Sequence, residues 1–328
     1  MRIAAFAAAL LLLSGCARYA DFAVPPPQNQ LRYQLTWKAA PEVNFARGDA
    51  LDVLNPSVVR HGSGLLNLYS RFDGKRWDTY AATSTDGANW GNVRKILSPE
   101  LPWEGSYIAA NGGAVSFQGE LLYIYQAGEK GKTILGLARS RDGVSWTKHP
   151  TPILTPGPWR SWDEVSLGDP YLWEADGVLY LCYLGEDRAR RQRLGLARST
   201  DGIHWEKQRS SPILDLGGYG DFDENGLGEP AVFASGKQWV MLYTGRDRKE
   251  HRAMGYAISN DGRTWSKLHE PVLRGESPWN NTVVCDATVL AEPSRLRIWY
   301  GGGDKPSPDE RLNGQIGYAE LPAQLPAH

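Results

Sequence analysis

The chain has 328 residues, with 36 Lys and Arg against 37 Asp and Glu, and a formal net charge of −1 at pH 7. That balance provides no overall field for nucleic acid or for an anionic membrane surface. Thirteen Trp, fifteen Tyr and 36 Gly against three Met are typical of short strands and tight turns, and no long segment has helical apolar spacing. The composition favours an all-β protein.

The N-terminus reads as an export signal. Arg2 precedes an apolar run, Ile3 to Leu13, that is too short to cross a bilayer as a helix, and Leu13-Ser14-Gly15-Cys16 resembles the lipobox of bacterial lipoproteins. We expect residues 1–15 to be removed and Cys16 to be lipidated. An ordinary secretory signal with a chance cysteine is the alternative.

Three consequences follow for the mature protein. Ala17 after the cysteine favours the outer membrane by the rule known for bacterial lipoproteins, so the membrane is contacted through lipidated Cys16 only. Residues 16–30 are proline-rich and are expected to form an extended tether. Residues 31–328 then form one domain, which we expect to be a monomer.

An Asp-Gly turn followed by a Trp recurs along this domain. Its aspartates are Asp86, Asp142, Asp201 and Asp261, so consecutive turns are 56, 59 and 60 residues apart. A fixed period of this size, with Asp-Gly turns between alternating apolar runs, is typical of an array of small antiparallel sheets. These aspartates and tryptophans are best explained as scaffold, with the carboxylate capping backbone amides in the turn.

The repeat predicts a five-bladed β-propeller with four antiparallel strands in each blade. Five second strands end on a tyrosine, at Tyr69, Tyr125, Tyr183, Tyr243 and Tyr300. The fifth blade runs out of chain after a third strand at Ile316 to Ala319. An orphan strand at Leu35 to Lys38 is therefore expected to complete it and close the ring.

Function is sought where the repeats differ. The five innermost strands open on unlike polar residues, and all five are expected at one mouth of the central channel: Asn55, Asn111, Asp169, Glu229 and Asp286. Such positions can be polar merely because a channel is wet. Three carboxylates around one small mouth are a stronger signal, because repulsion and partial burial separate their pKa values, as acid and base partners require.

At this point the sequence resembles a known group. Five blades, Asp169-Pro170 opening the third blade and Glu229-Pro230 opening the fourth, and strands ending apolar-Tyr-x-Gly resemble the five-bladed glycosidase superfamily. That superfamily contains the arabinanases and xylosidases of glycoside hydrolase family 43, the invertases and levansucrases, and the mannoside phosphorylases and hydrolases of family 130. The resemblance covers Leu31 to Leu321 and implies cleavage of glycosidic bonds, with inversion by analogy to families 43 and 130.

The resemblance also implies residue roles, with two departures. It assigns Glu229 as general acid and Asp169 as the carboxylate that orients substrate and tunes pKa. Asn55 occupies the position of the base, and an amide cannot take a proton from water, so Asp286 or Asp52 is the substitute. Glu229 directly precedes its proline, whereas the acid of the family stands two residues before it, and a shift of one residue reverses side-chain direction in a regular strand.

Aromatic and basic residues are expected around the mouth. Trp103, Trp162 and Trp279 could stack on sugar rings, although packing between blades explains them equally well. Arg188 and Arg246 stand in basic loops that are either solvated hairpin tips or a cationic rim. Such a rim would suit an anionic glycan, or inorganic phosphate acting in phosphorolysis.

Three classes of function remain open. The first is a lipid-anchored glycosidase acting on an envelope or extracellular polysaccharide. The second is a noncatalytic glycan-binding lipoprotein, and the third is an interaction scaffold or a sialidase-like enzyme. No cluster has metal-ligand spacing and no cofactor is implied; Cys182 and Cys285 are expected to be separate buried thiols.

Overall fold

The structure is a computed structural model and describes residues 18–29, 31–35 and 37–324. The predicted signal and Cys16 lie outside the described residues. Within the described part, strands dominate, the single helical element is a 3-10 turn at Pro102–Glu104, and no helix is long and apolar enough to cross a membrane.

Twenty-one strands account for the fold. Two N-terminal strands come first: β1 (Arg18–Ala20) and β2 (Arg32–Tyr33). Blade one contains β3 (Asp52–His61), β4 (Gly64–Phe72), β5 (Trp77–Ser84) and β6 (Gly91–Leu97). Blade two contains β7 (Ile108–Phe117), β8 (Glu120–Glu129), β9 (Lys132–Ser140) and β10 (Thr147–Lys148). Blade three contains β11 (Ser166–Ala175), β12 (Val178–Glu186), β13 (Gln192–Ser199) and β14 (Glu206–Gln208). Blade four contains β15 (Gly226–Ser235), β16 (Gln238–Arg246), β17 (Arg252–Ser259) and β18 (Ser266–Lys267), and blade five contains β19 (Val283–Ala291), β20 (Arg295–Gly303) and β21 (Gln315–Gln324).

The five blades form a closed ring. Each inner strand, β3, β7, β11, β15 and β19, packs against the next, and β19 packs against β3. Strands within a blade are antiparallel, so they alternate in direction. We call the face where the inner strands begin the upper face; the hairpins between second and third strands open there, and the Asp-Gly turns lie on the lower face.

The ring is closed from the N-terminal side, as predicted, but by an earlier segment. β2 pairs with the end of β21, Tyr33 opposite Ala323, and Phe45 forms a bridge with Ile316. In the stretch predicted to be the strand, Leu35 to Lys38, the described residues 35, 37 and 38 lie between these contacts without strand pairing. Ala40 anchors the segment instead, because its amide donates to the Tyr300 hydroxyl at 2.6 Å.

In the segment expected to be a tether, the described residues 18–29 include a strand and core residues of the domain. β1 pairs in parallel with β14, and Phe22 and Val24 are buried in the core shared by blades three and four. The amide of Val24 donates to the carbonyl of Asp261 at 2.7 Å. A domain boundary at residue 31 is therefore too late, because apolar side chains at 22 and 24 are removed from water by packing on these blades.

The Asp-Gly turns of the lower face act as scaffold, as expected. Oδ1 of Asp201 accepts hydrogen bonds from the amides of Ile203 and His204, both at 2.8 Å, and Trp205 Nε1 donates to the Gly202 carbonyl at 3.1 Å. The same pattern of amide donors recurs at Asp86, Asp142 and Asp261.

A second repeated contact lies inside the blades. Asp163 accepts from the Tyr183 hydroxyl at 3.2 Å and from Lys207 Nζ at 2.5 Å, and the side chains of Asp163 and Lys207 are fully buried. The equivalent groups are Glu104, Tyr125 and Lys148 in blade two and Asp223, Tyr243 and Lys267 in blade four. This anchor fixes the chain six residues before the polar residue of the inner strand in blades three and four, and seven residues before it in blade two.

Candidate active site

All five inner strands change conformation at their polar residue. Asn55, Asn111, Asp169, Glu229 and Asp286 have φ between 48° and 56°, and the pairing of each inner strand with its neighbour shifts register there. A left-handed residue at a bulge is uncommon outside glycine, and strained backbone of this kind concentrates at functional sites. The bulge also removes the concern about Glu229, because side-chain direction there no longer follows the alternation of a regular strand.

The polar side chains form an almost continuous circle of hydrogen bonds around the channel. Asp169 Oδ2 accepts from the Glu229 amide at 3.2 Å, and Glu229 Oε2 accepts from the Asp286 amide at 3.3 Å. Asp286 Oδ2 accepts from the Asn55 amide at 3.3 Å, and the Asn55 side chain donates to Asp286 Oδ1 at 2.6 Å. Asn111 Nδ2 donates to Asp169 Oδ1 at 2.5 Å. Four of the five side chains are thus held by the next blade, and the Asn55 side chain is held by the preceding one.

The two aspartates of this circle favour the protonated form. Burial, and then the nearby charge of Glu229, raise the pKa of Asp169 to about 7. The same two causes, in the same order, raise the pKa of Asp286 well above its usual range. An oxygen of Asp286 lies within 4.8 Å of one from Glu229. Two carboxyl groups this close in a desolvated site do not both ionise readily.

Arg252 balances the charge of Glu229. Its Nη1 lies 3.6 Å from Glu229 Oε1, and its side chain is only 9 % exposed. Nη2 of Arg252 donates hydrogen bonds to the carbonyl oxygens of Ser307 and Pro308. The guanidinium forms its ion pair with Glu229, and as a smaller effect its charge also lowers the pKa of Asp169 and of Asp286.

Cys285 lies directly behind the carboxyl pair. Its Sγ donates to Asp286 Oδ2 at 3.0 Å, and the residue is fully buried and free, as is Cys182. Burial is the largest cause that raises the pKa of the Cys285 thiol. Glu229, Cys285 and Asp286 together form a potential cation ligand set, but Arg252 competes for the same glutamate.

The circle forms the floor of an open cavity of about 480 Å³ on the upper face. Its size is within the range of small-ligand sites. Arg246 lines the wall, where it contacts Gln192 at 2.8 Å and Glu250 at 3.2 Å, and Lys130 lies opposite, 2.8 Å from Glu310. Nε of Arg246 and Nε of Arg252 are buried without a partner.

The prediction from sequence did not include Thr133 and Gln192 in this wall. Together with Arg252 of the basic loops, they are equivalent residues at the start of the third strands, and all three line the cavity. They differ between blades, so the argument from unlike repeats that located the inner residues would also have located them. Asn55, Asn111 and Arg246 do line the cavity as expected.

Asp52 is not part of the site. It is fully buried, and its oxygens accept from the amides of Arg311 and Gly314, at 2.5 and 2.8 Å. The expectation that it could be a base is wrong, because both oxygens are committed to holding the loop before β21.

The predicted sugar-stacking tryptophans are packing residues. Trp162 covers Gly185 and Gly195, where an added Cβ would lie 2.4 and 2.3 Å from the indole. Trp103 covers Gly136 and Trp279 covers Gly302 and Gly317 in the same way. The three tryptophans also lie against the tyrosines of their own second strands. Glycine is required at these strand positions because the indole occupies the space of a side chain.

The loops do not form a free cationic rim. Arg188 does not line the cavity; it pairs with Glu164 at 3.1 Å. Arginines in the same loops are paired likewise, Arg190 with Glu186, Arg191 and Arg193 with Asp187, and Arg248 with Glu224. The sequence pattern showed the cations but not the acidic residue that each one contacts.

Comparisons with known proteins agree with this architecture. Residues 67–215 match the N-terminal domain of glycosyl hydrolases family 32. An uncharacterised protein of Mycobacterium tuberculosis is 26 % identical over 231 residues, 64 % of this chain and 75 % of its own. A probable sucrose-6-phosphate hydrolase of Psychromonas ingrahamii is 30 % identical over 132 residues, 39 % of this chain and 23 % of its own.

Solved structures give the same result for the fold. The β-1,2-mannobiose phosphorylase of Listeria innocua superposes with a TM-score of 0.68 at 13 % identity, over 91 % of this chain and 96 % of that one. The family match covers less than half of the chain, and the superposition extends the likeness to nearly all of it. The chain is therefore a five-bladed β-propeller that resembles the family 32 domain in sequence and glycoside-processing enzymes in fold.

Proposed function

We propose that this protein is a glycoside hydrolase that cleaves its carbohydrate in the cavity of the upper face. The observation that carries the proposal is the convergence of Asp169, Glu229 and Asp286, from three different blades, on the floor of one open cavity. Cleavage of a glycosidic bond needs one carboxyl group that holds a proton and one that is charged. The pKa of Asp169 is raised by burial and then by the charge of Glu229, whereas Arg252 lies beside Glu229.

The roles we assign differ from those implied by the superfamily. Asp286 donates the proton to the departing oxygen, since it is buried and hydrogen-bonded within a carboxyl pair. Glu229 is the charged partner, balanced by Arg252. Asp169 orients the Glu229 backbone by accepting a hydrogen bond from the Glu229 amide, and it accepts a second one from the Asn111 side chain.

The spacing of this pair favours retention of configuration. Retaining glycosidases place their carboxyl groups about 5 to 5.5 Å apart, and inverting ones leave about 6.5 to 9.5 Å for a water molecule. One oxygen of Glu229 and one of Asp286 lie within 4.8 Å of each other, which is closer to the retaining spacing than to the inverting one. Inversion, the expectation from families 43 and 130, is the alternative that the product analysis below tests.

The test is release of reducing ends from a panel of neutral and acidic glycans. Glu229→Gln and Asp286→Asn are each expected to lose most turnover, and Asp176→Asn, an acid-to-amide change in a lower-face turn, is the matched control. Proton NMR of the first product reports its anomeric configuration. Full turnover by Glu229→Gln would exclude the assignment, and binding without turnover by the unmodified protein would indicate a noncatalytic glycan-binding protein.

Phosphorolysis is a second candidate, favoured by one observation. Arg246 and Arg252 line the cavity with unpartnered Nε groups, and Asn55 stands where a base would activate water. Inorganic phosphate needs no such base, and a phosphorylase is among the proteins of similar fold. Turnover that requires phosphate and yields a sugar 1-phosphate would establish it, and turnover in phosphate-free buffer would exclude it.

We further propose that the protein is exported and lipid-anchored through Cys16. The lipobox-like Leu13-Ser14-Gly15-Cys16 supports this. Mass spectrometry of the membrane fraction would show a diacylglyceryl group on Cys16 and no residues 1–15, and the Cys16→Ser variant should be found outside that fraction. An unmodified Cys16 in the mature chain would contradict the anchor without affecting the enzymatic proposal.

A further inference from the structure

Two aromatic side chains on the upper face are exposed to an unusual degree. Trp159 is 62 % exposed and Tyr219 is 88 % exposed, and no other aromatic residue in the described part of the chain is comparably exposed. A single exposed aromatic residue needs no explanation. These two are 60 residues apart and occupy the same position in the connections that enter blades three and four, so their exposure is a repeated feature.

Each aromatic ring stands in the same small assembly. Arg188 lies 5.2 Å from the ring of Trp159, and Arg248 lies 4.8 Å from the ring of Tyr219. Each arginine pairs with a glutamate of the same connection, Glu164 at 3.1 Å and Glu224 at 3.4 Å. These two glutamates also accept an amide of the aromatic loop, from Arg160 at 2.8 Å and from Gly220 at 2.9 Å. The loop and the arginine are therefore fixed by one carboxylate, and the ring is presented by a built structure.

The assembly is continuous with the cavity. The hairpin that carries Arg188 also carries Arg190, which lines the cavity, and the hairpin that carries Arg248 also carries Glu250, which lines it too. Each hairpin thus contributes one residue to the ring assembly and one to the cavity wall, two positions apart. A chain leaving the cavity toward blades three and four would meet the rings next.

The other connections lack this feature. The residue four positions before the buried anchor acid is Trp159 in blade three and Tyr219 in blade four, but the matching residue is Glu100 in blade two, and Glu276 precedes Asn280 in blade five. In blade one the matching residue is Phe45, which is only partly exposed because its ring packs against Tyr69 at 4.9 Å. Aromatic rings stack on the apolar faces of sugars, and guanidinium groups donate to hydroxyl or carboxylate oxygens, whereas bare carboxylates do neither. The aromatic surface is confined to one side of the ring.

We propose that Trp159 and Tyr219, with Arg188 and Arg248, form a carbohydrate platform that binds sugar units of a glycan extending out of the cavity over blades three and four. This proposal rests on the proposed carbohydrate function. It adds that the ligand is a polymer and that the polymer leaves the cavity over blades three and four. The ligand class is an oligo- or polysaccharide with several units, since neither ring lines the cavity and a ligand confined to the cavity would not contact them.

The test is affinity electrophoresis of the full chain in gels that contain β-mannan, arabinan, levan or polygalacturonate. All proteins carry Glu229→Gln so that the polymer is not consumed. The variant is Trp159→Ala with Tyr219→Ala, and the control is Val144→Ala, which removes an apolar side chain that is 56 % exposed on the lower face. Loss of the two stacking residues is expected to weaken polymer binding about 10-fold, which corresponds to about 1.4 kcal/mol.

The outcomes separate the platform from the enzyme. Retardation of the parent and of the Val144 control, with loss in the double variant, supports the platform even if no glycan in the panel is ever cleaved. Equal retardation of parent and double variant, or no retardation of the parent in any gel, overturns it. A parent protein that is dimeric in gel filtration and becomes monomeric in the double variant also overturns it, because the rings would then bind a second copy.

Discussion

Acidic residues at the two faces of the ring behave in opposite ways. On the lower face the turn aspartates are the same in four blades, each is surrounded by amide donors, and hydrogen bonds from those amides lower the pKa of Asp142. On the upper face the inner residue is Asn, Asp or Glu depending on the blade, and burial raises the pKa of Asp169 and Asp286. The carboxylates that recur in the same position of the blades stabilise the blades. The carboxyl groups at the positions that vary are buried where a charge is unfavourable, and this is the condition for proton transfer.

The largest effect should come from the upper face. Asp286→Asn is expected to lower kcat by about 10² to 10⁴-fold, the usual contribution of general acid catalysis, without lowering the melting temperature. Relief of the contact with Glu229 compensates for the lost hydrogen bonds. Reducing-end assays and thermal melts on the same samples provide the measurement, and a variant that melts much earlier than the parent would show that Asp286 is scaffold.

The buried anchor should show the reverse behaviour. Lys207→Met leaves Asp163 charged and unpaired in a fully buried position, which costs about 3–5 kcal/mol. Chemical denaturation measures the loss of unfolding free energy. The double variant Lys207→Met with Asp163→Asn should recover part of it, and a single variant as stable as the parent would contradict the role of the anchor.

The pH dependence of stability should separate the faces. The folded-state pKa of Asp169 is about 7, above its unfolded value, so its contribution is fully present below about pH 4 and is lost as the pH rises toward 7. Asp169→Asn should therefore flatten the decline in melting temperature between pH 5 and 8. The corresponding change in unfolding free energy is on the order of a few kcal/mol. The lower-face aspartates change stability with pH in the opposite direction. Because their folded-state pKa values are lowered, the stability that they contribute is present at neutral pH and is lost only in acid. A slope unchanged in Asp169→Asn would place the titration elsewhere.

The smallest effect is expected at a single turn. Asp201→Ala removes a carboxylate that holds the amides of Ile203 and His204, and the loss of such a cap costs about 1 kcal/mol. Turnover for each folded molecule should be unchanged. Denaturation midpoints and assays on the purified variant check both statements, and a loss of turnover in the fully folded variant would break the division between the faces.

Because of the repeat, the fold and the residues of the circle could be predicted from the sequence. Spacing between turns shows which residues are equivalent, and equivalent residues in a propeller occupy equivalent places. Side-chain direction at Glu229 was not accessible, since it depends on a left-handed bulge present in all five blades. Trp162 could not be distinguished from a sugar-stacking residue, because its partners Gly185 and Gly195 are distant in sequence.

Charge at the site was the hardest feature to predict. Loop arginines can be counted in the sequence, but their pairing with Glu164, Asp187 and Glu224 depends on how neighbouring connections approach one another. Asp52 looked available because it stands three residues before Asn55, yet two amides of the loop before β21 surround it. Contacts between distant segments decide both cases.

The direction of β1 has a consequence for how the ring would be held. β14 rises from the lower face, and β1 runs beside it in the same direction, so Arg18 lies opposite Glu206 at the bottom edge of blade three. An acyl chain on Cys16, two residues before Arg18, would place the lower face of the ring toward the lipid. The opening would then look outward, toward polymers that arrive from the surrounding medium and away from glycans rooted in the same bilayer.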